Sequence, residues 1–119
     1  MNWDIIRGMF DGDGSISMNI PKITTASYAF VLQFSDFLTF YRIEHTIGIK
    51  DKRKNNCWDV RIKGDGRFLF YYYLYNNSDL FLERKKFKYR TALKKFRVKN
   101  IGLIAGILPY IQKEISSQD

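Results

Sequence analysis

Residues 5–17 read IIRGMFDGDGSIS and place two carboxylates, Asp11 and Asp13, among three glycines where an apolar segment ends. Projected at about 100° per residue, residues 3–13 put Trp3, Ile5, Ile6, Gly8, Met9, Phe10 and Gly12 on one broad apolar arc of a helix and Asp4, Arg7 and Asp11 on the narrow remainder. Asp11 lies four residues after Arg7, so an ordinary i,i+4 ion pair accounts for it. Asp13 has no such partner. It falls between Ile6 and Met9 on the apolar arc and ends the helix, where the backbone dipole disfavours an anion by roughly 0.3–1 kcal/mol. A cation must compensate it. Gly8 and Gly12 each cost a helix about 1 kcal/mol relative to alanine. They share one edge of the arc, so something is expected to approach that edge closely. If the partner is the same helix of a second copy, a two-fold axis runs past Gly8 and Gly12, Ile5 and Met9 share the seam, and two Asp13 carboxylates meet. Paired carboxylates of this kind are a metal site whose oxygen ligands suit Mg²⁺, with Mn²⁺ or Ca²⁺ as further possible occupants.

Other chemistries fail on spacing. DGDGSIS begins like a calcium loop, but its sixth position is Ile16 where glycine is needed and its twelfth is Lys22 where glutamate is needed. No P-loop or GxGxxG sequence is present, no small-molecule cofactor is expected, and GDG at residues 64–66 reads as a turn and helix cap. His45, the single histidine, is expected on a helix without ligand-spaced partners, in a structural role.

The elements that must position these residues follow from periodicity. A helix is predicted over residues 2–13, with Gly14 in a left-handed cap position. Residues 15–20 and 25–34 alternate polar and apolar and predict two half-buried strands. Ser35 and Asp36 are expected to cap a helix over 36–47 that Gly48 stops, and residues 49–56 a strand and turn. CWDVRIK, residues 57–63, alternates again with Trp58, Val60 and Ile62 inward. Asp65 opens an aromatic-rich helix to Tyr75, and a basic helix begins near Leu82. The order α-β-β-α-β-β-α-α predicts an α+β fold, a four-stranded antiparallel sheet with helices on one face. Residues 1–97 form that domain, and residues 98–119 an extension, helical and broken near Pro109, that packs on it. On the open face Ser15, Ser17, Asn19, Thr25, Ser27, Gln33, Asp59, Arg61 and Lys63 are expected to point the same way, a hydrogen-bonding surface of the kind a β-ribbon reader of a DNA groove needs.

Charge agrees with that partner. The 119-residue chain carries a formal net charge of +8 and a pI near 9.6, which predicts attraction to polyanions. Nine of its 20 basic residues lie in RKKFKYRTALKKFRVK, residues 84–99, and four more, Lys50, Lys52, Arg53 and Lys54, in KDKRK. Twenty aromatic residues can fill a core without disulfides, and Cys57 is the single cysteine, so a reducing, cytoplasmic setting is the simplest reading. No apolar run reaches the roughly 20 residues of a membrane span, and no membrane partner is expected. The wealth of Lys, Asn, Ile, Phe and Tyr is compatible with an AT-rich phage or bacterial source.

IIRGMFDGDGSI resembles the motif of the LAGLIDADG homing endonucleases, with Ile6, Gly8, Met9, Phe10, Asp11, Gly12, Asp13 and Gly14 in register and Arg7 where that family usually has a small residue. The element order resembles the family fold over residues 2–97. GLIAGI, residues 102–107, lacks any acid and is not a second motif, so the resemblance is to the single-motif, homodimeric type. It implies a Mg²⁺-dependent double-strand DNA endonuclease in which the motif helices cross at the two-fold axis and the sheets form a saddle over the major groove. By the same resemblance Asp13 carries the metal, the Gly12 carbonyl completes part of its shell, Lys85 in ERKK is the active-site lysine with Arg84 and Lys86 as rivals, and Gln33 orders the attacking water. The DNA-facing set is then Ser15, Ser17, Asn19, Lys22, Thr25, Ser27, Lys50, Lys52, Arg53, Lys54, Arg61 and Lys63. A non-cleaving DNA-binding regulator or an RNA-splicing maturase on the same fold is the alternative.

Overall fold

A computed structural model of the chain describes residues 1–49, 57–76 and 78–117. Helix α1, Trp3–Asp13, starts where Asn2 Oδ1 accepts the Ile5 amide at 2.9 Å. It runs directly into β1, Gly14–Ser17, which turns back as β2, Ile20–Thr25. Helix α2, Tyr28–Phe40, is followed by β3, His45–Ile49, β4, Trp58–Ile62, α3, Gly66–Tyr75, and α4, Glu83–Leu93. Two short helices, α5 at Ile101–Ile104 and α6 at Leu108–Ile115, end the described chain. The four strands form one antiparallel sheet in the order β1-β2-β4-β3. Its inner residues Ile16, Ile23, Val60 and Ile62 are buried in one cluster with Ile6, Phe10, Val31, Phe34, Leu38 and the α3 aromatics. The expected α+β architecture and element order are present, but several boundaries are not.

Most of the strand expected over 25–34 is a helix: Thr25 ends β2, and residues 28–34 belong to α2. Ser27 Oγ accepts the Phe30 amide at 3.1 Å and caps α2, while Val31, Phe34 and Leu38 are buried at helical spacing. The apolar residues behind that alternation, Tyr28, Phe30, Leu32 and Phe34, do not share one face: Phe34 is buried and Phe30 packs beside the core, while Tyr28 and Leu32 are exposed. Gly48 therefore stops no helix: α2 closes earlier, where Arg42 adopts φ 61°, its amide meets Thr39 O at 3.0 Å and the Ile43 amide meets Leu38 O at 2.9 Å. That is a Schellman closure, with Ile43 apposed to Leu38 and an arginine where glycine is usual. His45 lies on β3, and its ring bridges Ser35 Oγ at 2.7 Å and Ile43 O at 2.9 Å, a structural use. Residues 18 and 19 are a hairpin turn and not strand, with φ 53° at Met18 and 65° at Asn19, the twist a two-residue turn between antiparallel strands requires.

Gly14 is extended, φ −77°, ψ 159°, so it is not a left-handed cap. Glycine is needed there for space, since a Cβ would fall 2.5 Å from the Phe10 carbonyl oxygen. The C-terminal segment is tied in by Asp65, whose buried carboxylate accepts the Lys99 amide at 2.8 Å and the Asn100 amide at 2.6 Å. Ile104, Ile107 and Ile111 then join the common core, and Pro109 sits in the first turn of α6, where its missing N–H costs nothing. No helix among the described residues is long and apolar enough to cross a membrane.

Candidate metal and nucleic-acid site

Helix α1 has no basic residue in its last turn, yet its C-terminal carbonyls end in contact with a cation. Lys85 reaches over from the first turn of α4 and its ammonium donates to Phe10 O at 2.6 Å, Asp11 O at 2.8 Å and Gly14 O at 2.8 Å. Three N–H donors meet three carbonyl acceptors, and the negative end of the helix dipole is neutralised at the same time. Burial pushes the Lys85 pKa down, as do neighbouring Arg84 and Lys88, while the charges of Asp11 and Asp13 oppose that shift. Lys85 thus neutralises the helix end, but among the described residues it makes no ion pair with Asp13 and feels its charge only through space. Of its rivals, Lys86 is committed to Glu114 at 3.3 Å and to the rings of Tyr75 and Phe81, and Arg84 is exposed.

The clasp is reciprocal. Asp11 Oδ2 accepts the amide of Leu82, the residue preceding α4, at 3.1 Å, and Oδ1 is buried without a hydrogen-bond partner among the described residues. Asp11 is therefore not paired with Arg7. Arg7 is 7% exposed; its Nε donates to Leu74 O near the end of α3 and its Nη1 meets Asp4 at 2.7 Å. A cation at the C-terminal carbonyls of α3 satisfies groups the helix leaves orphaned, which is why this arginine turned inward.

Ile5, Gly8, Met9 and Gly12 line one side of α1. Ile5 is 50% exposed, and a Cβ at Gly8 or Gly12 would have nothing within 4 Å. Among the described residues nothing therefore explains either glycine sterically. Asp13 is exposed at the end of this seam, with no hydrogen bond or ion pair to its side chain among the described residues. One chain gathers no cluster of three or more His, Cys, Asp or Glu side chains among those residues. What it offers at this point is one free carboxylate, Asp13, beside the Gly12 backbone: hard oxygen donors of the type Mg²⁺ takes, incomplete without a second copy or substrate oxygens.

The outer face of the sheet carries the second part of the site. Ser15, Lys22, Arg61 and Thr46 stand opposite one another across all four strands, and Thr24 and Asp59 occupy a neighbouring row. Asp59 is only 2% exposed and is held by Thr24 Oγ1 at 2.5 Å, Arg61 Nη2 at 3.3 Å and Lys22 Nζ at 3.7 Å. Burial pushes its carboxyl pKa up, but the Thr24 hydroxyl and the two cations outweigh burial and hold it below the usual carboxylate range. Ser17 flanks this surface opposite Ile20, and Lys63 follows β4 with its amide on Glu44 O at 2.8 Å. Asn19 lies at the hairpin tip, in an open groove with Ile16, Met18, Phe87 and Lys88.

Three expected members do not join this face. Thr25 pairs in register with Trp58, on the opposite parity to Ser15, and its hydroxyl accepts the Ser27 amide at 3.1 Å. Ser27 is spent on capping α2. Gln33 sits exposed on α2 and not at a strand end, so the strand-based reason for giving it the attacking water is gone. Lys50, Lys52, Arg53 and Lys54 lie outside the described residues. The sequence reading missed Thr24 as a site residue, because its polar alternation with Lys22 becomes legible only once β2 is placed at Ile20–Thr25.

An antiparallel sheet whose outer face carries Lys22 and Arg61, with an acidic helix end clasped by lysine beside it, is the kind of arrangement that sheet-based nucleic-acid readers use. The sequence model of the LAGLIDADG-like domain matches residues 4–86, from α1 through Lys85, and the chain belongs to this family, which binds DNA and is usually a nuclease. Neither the curated proteins nor the solved structures contain a match to the chain.

Proposed function

We propose that the protein is a site-specific double-strand DNA endonuclease of the single-motif type, acting as a homodimer with Mg²⁺. The observation that carries this reading is the exposed Asp13 carboxylate, unpartnered among the described residues, at the end of a helix edge whose two glycines no described residue of the same chain requires. A second α1 lying along Ile5, Gly8, Met9 and Gly12 supplies that requirement and brings the second Asp13. Asp13 and the Gly12 carbonyl would hold the metal ions, which when bound supply Lewis-acid stabilisation of charge at the scissile phosphates and a water of lowered pKa. The chain's own residues do the rest. Lys85 and Asp11 lock the α1 end to α4, so that Asp13 meets the phosphodiester from a fixed backbone. Ser15, Ser17, Lys22, Arg61 and Lys63 hold the duplex to the sheet.

The test is incubation of supercoiled plasmid carrying a duplex library with the protein and Mg²⁺, beside an Asp13→Asn variant. Linear product from the unaltered protein alone supports the endonuclease. A salt-dependent mobility shift without nicking assigns the non-cleaving regulator instead, and no DNA affinity overturns both.

A further inference from the structure

An anion in the middle of a surface meant for a polyanion requires an explanation. Asp59 belongs to the outer, cationic parity of β4, two residues before Arg61, and it is 2% exposed while Arg61's side chain is 48% exposed. Its carboxylate takes the Thr24 hydroxyl on Oδ1 and both cations, Lys22 and Arg61, on Oδ2. Lys22 and Arg61 are directly opposite in the β2–β4 register, so one acid ties together the two basic side chains at the centre of the sheet. For affinity alone this is counterproductive, because each tied cation is partly neutralised and no longer swings toward a phosphate. For sequence reading it is what a planar guanidinium needs. Phosphate contacts position and base contacts specify. An arginine held on one nitrogen presents its remaining donors in a fixed fork, which fits the O6 and N7 acceptors of guanine.

We propose that Asp59 is a positioning residue that converts Arg61 from a phosphate-binding cation into a reader of one guanine in the major groove of duplex DNA, with Lys22 as the second cation of the clamp. The inference rests on the proposed DNA-binding use of the sheet. Among the described residues only Nη2 of Arg61 is engaged, and one of its two N–H bonds suffices for that contact, which leaves its other N–H together with Nη1 or Nε as a fork for the base. Thr24 fixes the carboxylate itself, so the fork is set before DNA arrives.

The experiment compares the unaltered full chain, Asp59→Asn, Arg61→Ala and Arg61→Lys by selection from a randomised duplex library and by salt titration on a non-selected duplex. The unaltered protein enriches a guanine at one position per half-site, and Arg61→Ala loses it. Asp59→Asn loses the same guanine while binding the non-selected duplex about threefold or more tighter, with a log–log salt slope steeper by about 0.9 for each phosphate contact its released cations make. Arg61→Lys keeps affinity and slope and loses the guanine, which keeps the proposal testable if Asp59→Asn fails to fold. Guanine enrichment that survives in Asp59→Asn or in Arg61→Lys overturns the inference and leaves DNA binding standing. Parallel loss of affinity and enrichment in a folded Asp59→Asn also overturns it, since that is the signature of a merely structural acid. An unaltered protein without salt-dependent DNA affinity sinks the underlying reading of the sheet.

Discussion

Replacing Lys85 by methionine separates two roles that the family motif leaves merged. The substitution keeps the aliphatic stem and removes the ammonium, which lies 5.5 Å from the Phe10 ring centroid and joins Phe10 O, Asp11 O and Gly14 O at 2.6–2.8 Å. A hydrogen bond to a charged group contributes about 1.5–3 kcal/mol, but the three share one partly solvated donor and the freed carbonyls regain some water, so the sum is discounted to about 2–4 kcal/mol. At about 3–5 °C per kcal/mol for a chain of this size, Lys85→Met is expected to lower Tm by about 6–20 °C. The assay is thermal unfolding followed by circular dichroism, alongside cleavage measured well below both transitions. Arg84→Met, an exposed neighbour of the same charge, is the control and shifts Tm by less than about 0.5 kcal/mol equivalent. A Lys85→Met protein that unfolds at the temperature of the unaltered chain and yet fails to cleave would refute the clasp, leaving the lysine a purely catalytic group.

Further outcomes follow from the same geometry. Gly14→Ala forces a Cβ to 2.5 Å from the Phe10 carbonyl oxygen and is expected to cost more than about 2 kcal/mol, read by urea unfolding. Met18→Gly relieves a left-handed residue at φ 53° whose side chain is 90% exposed, and raises stability by about 1 kcal/mol. Gly8→Leu meets no atom of the described residues within 4 Å of the new Cβ, so the monomer is expected to stay folded while sedimentation shows dimerisation lost together with cleavage. The carboxyls of Asp59 and Glu114 are both held below their ordinary values, Asp59 by Thr24, Lys22 and Arg61 and Glu114 by Tyr71, Lys86 and Tyr110, in each case against the opposing effect of burial. Their folded-state pKa values lie below the unfolded ones, so the stability they contribute is full above the unfolded carboxylate range and falls away as pH drops below about 4. Glu114→Gln therefore flattens the acid limb of a Tm-against-pH curve.

How much of this was legible in the sequence depends on how far apart the interacting groups stand. The α1 end, β4 and α3 could be read locally, because Ile6 and Phe10, Val60 and Ile62, and the aromatics of residues 68–75 repeat at the spacing their element imposes. Residues 28–34 satisfied both periods. Ala29 and Val31 stand where strand alternation over 25–34 would put polar residues, and Val31 begins the helical set completed by Phe34 and Leu38. Arg42 closes α2 without the glycine that ordinarily marks such an end. Arg7 looked like the partner of Asp11 because that spacing is common on exposed helices, and nothing near it in the chain announced that the end of α3 would draw it inward. The site itself was half legible. Asp13 and its glycines stand in one motif, whereas Asp11 meets Leu82 and Lys85 meets Asp11 O across 71 and 74 residues, and the Thr24–Asp59 bond needs a strand register no local pattern fixes.

The central claim is that Asp13, presented by a clasped helix end to a second copy of itself, cuts duplex DNA. Sequencing the ends released from a randomised duplex library in Mg²⁺ tests it most directly. The account predicts paired breaks at a site with two-fold symmetry, present with the unaltered chain and absent with Asp13→Asn. Breaks that persist in Asp13→Asn, or a folded, DNA-binding protein that releases no ends at all, would contradict it.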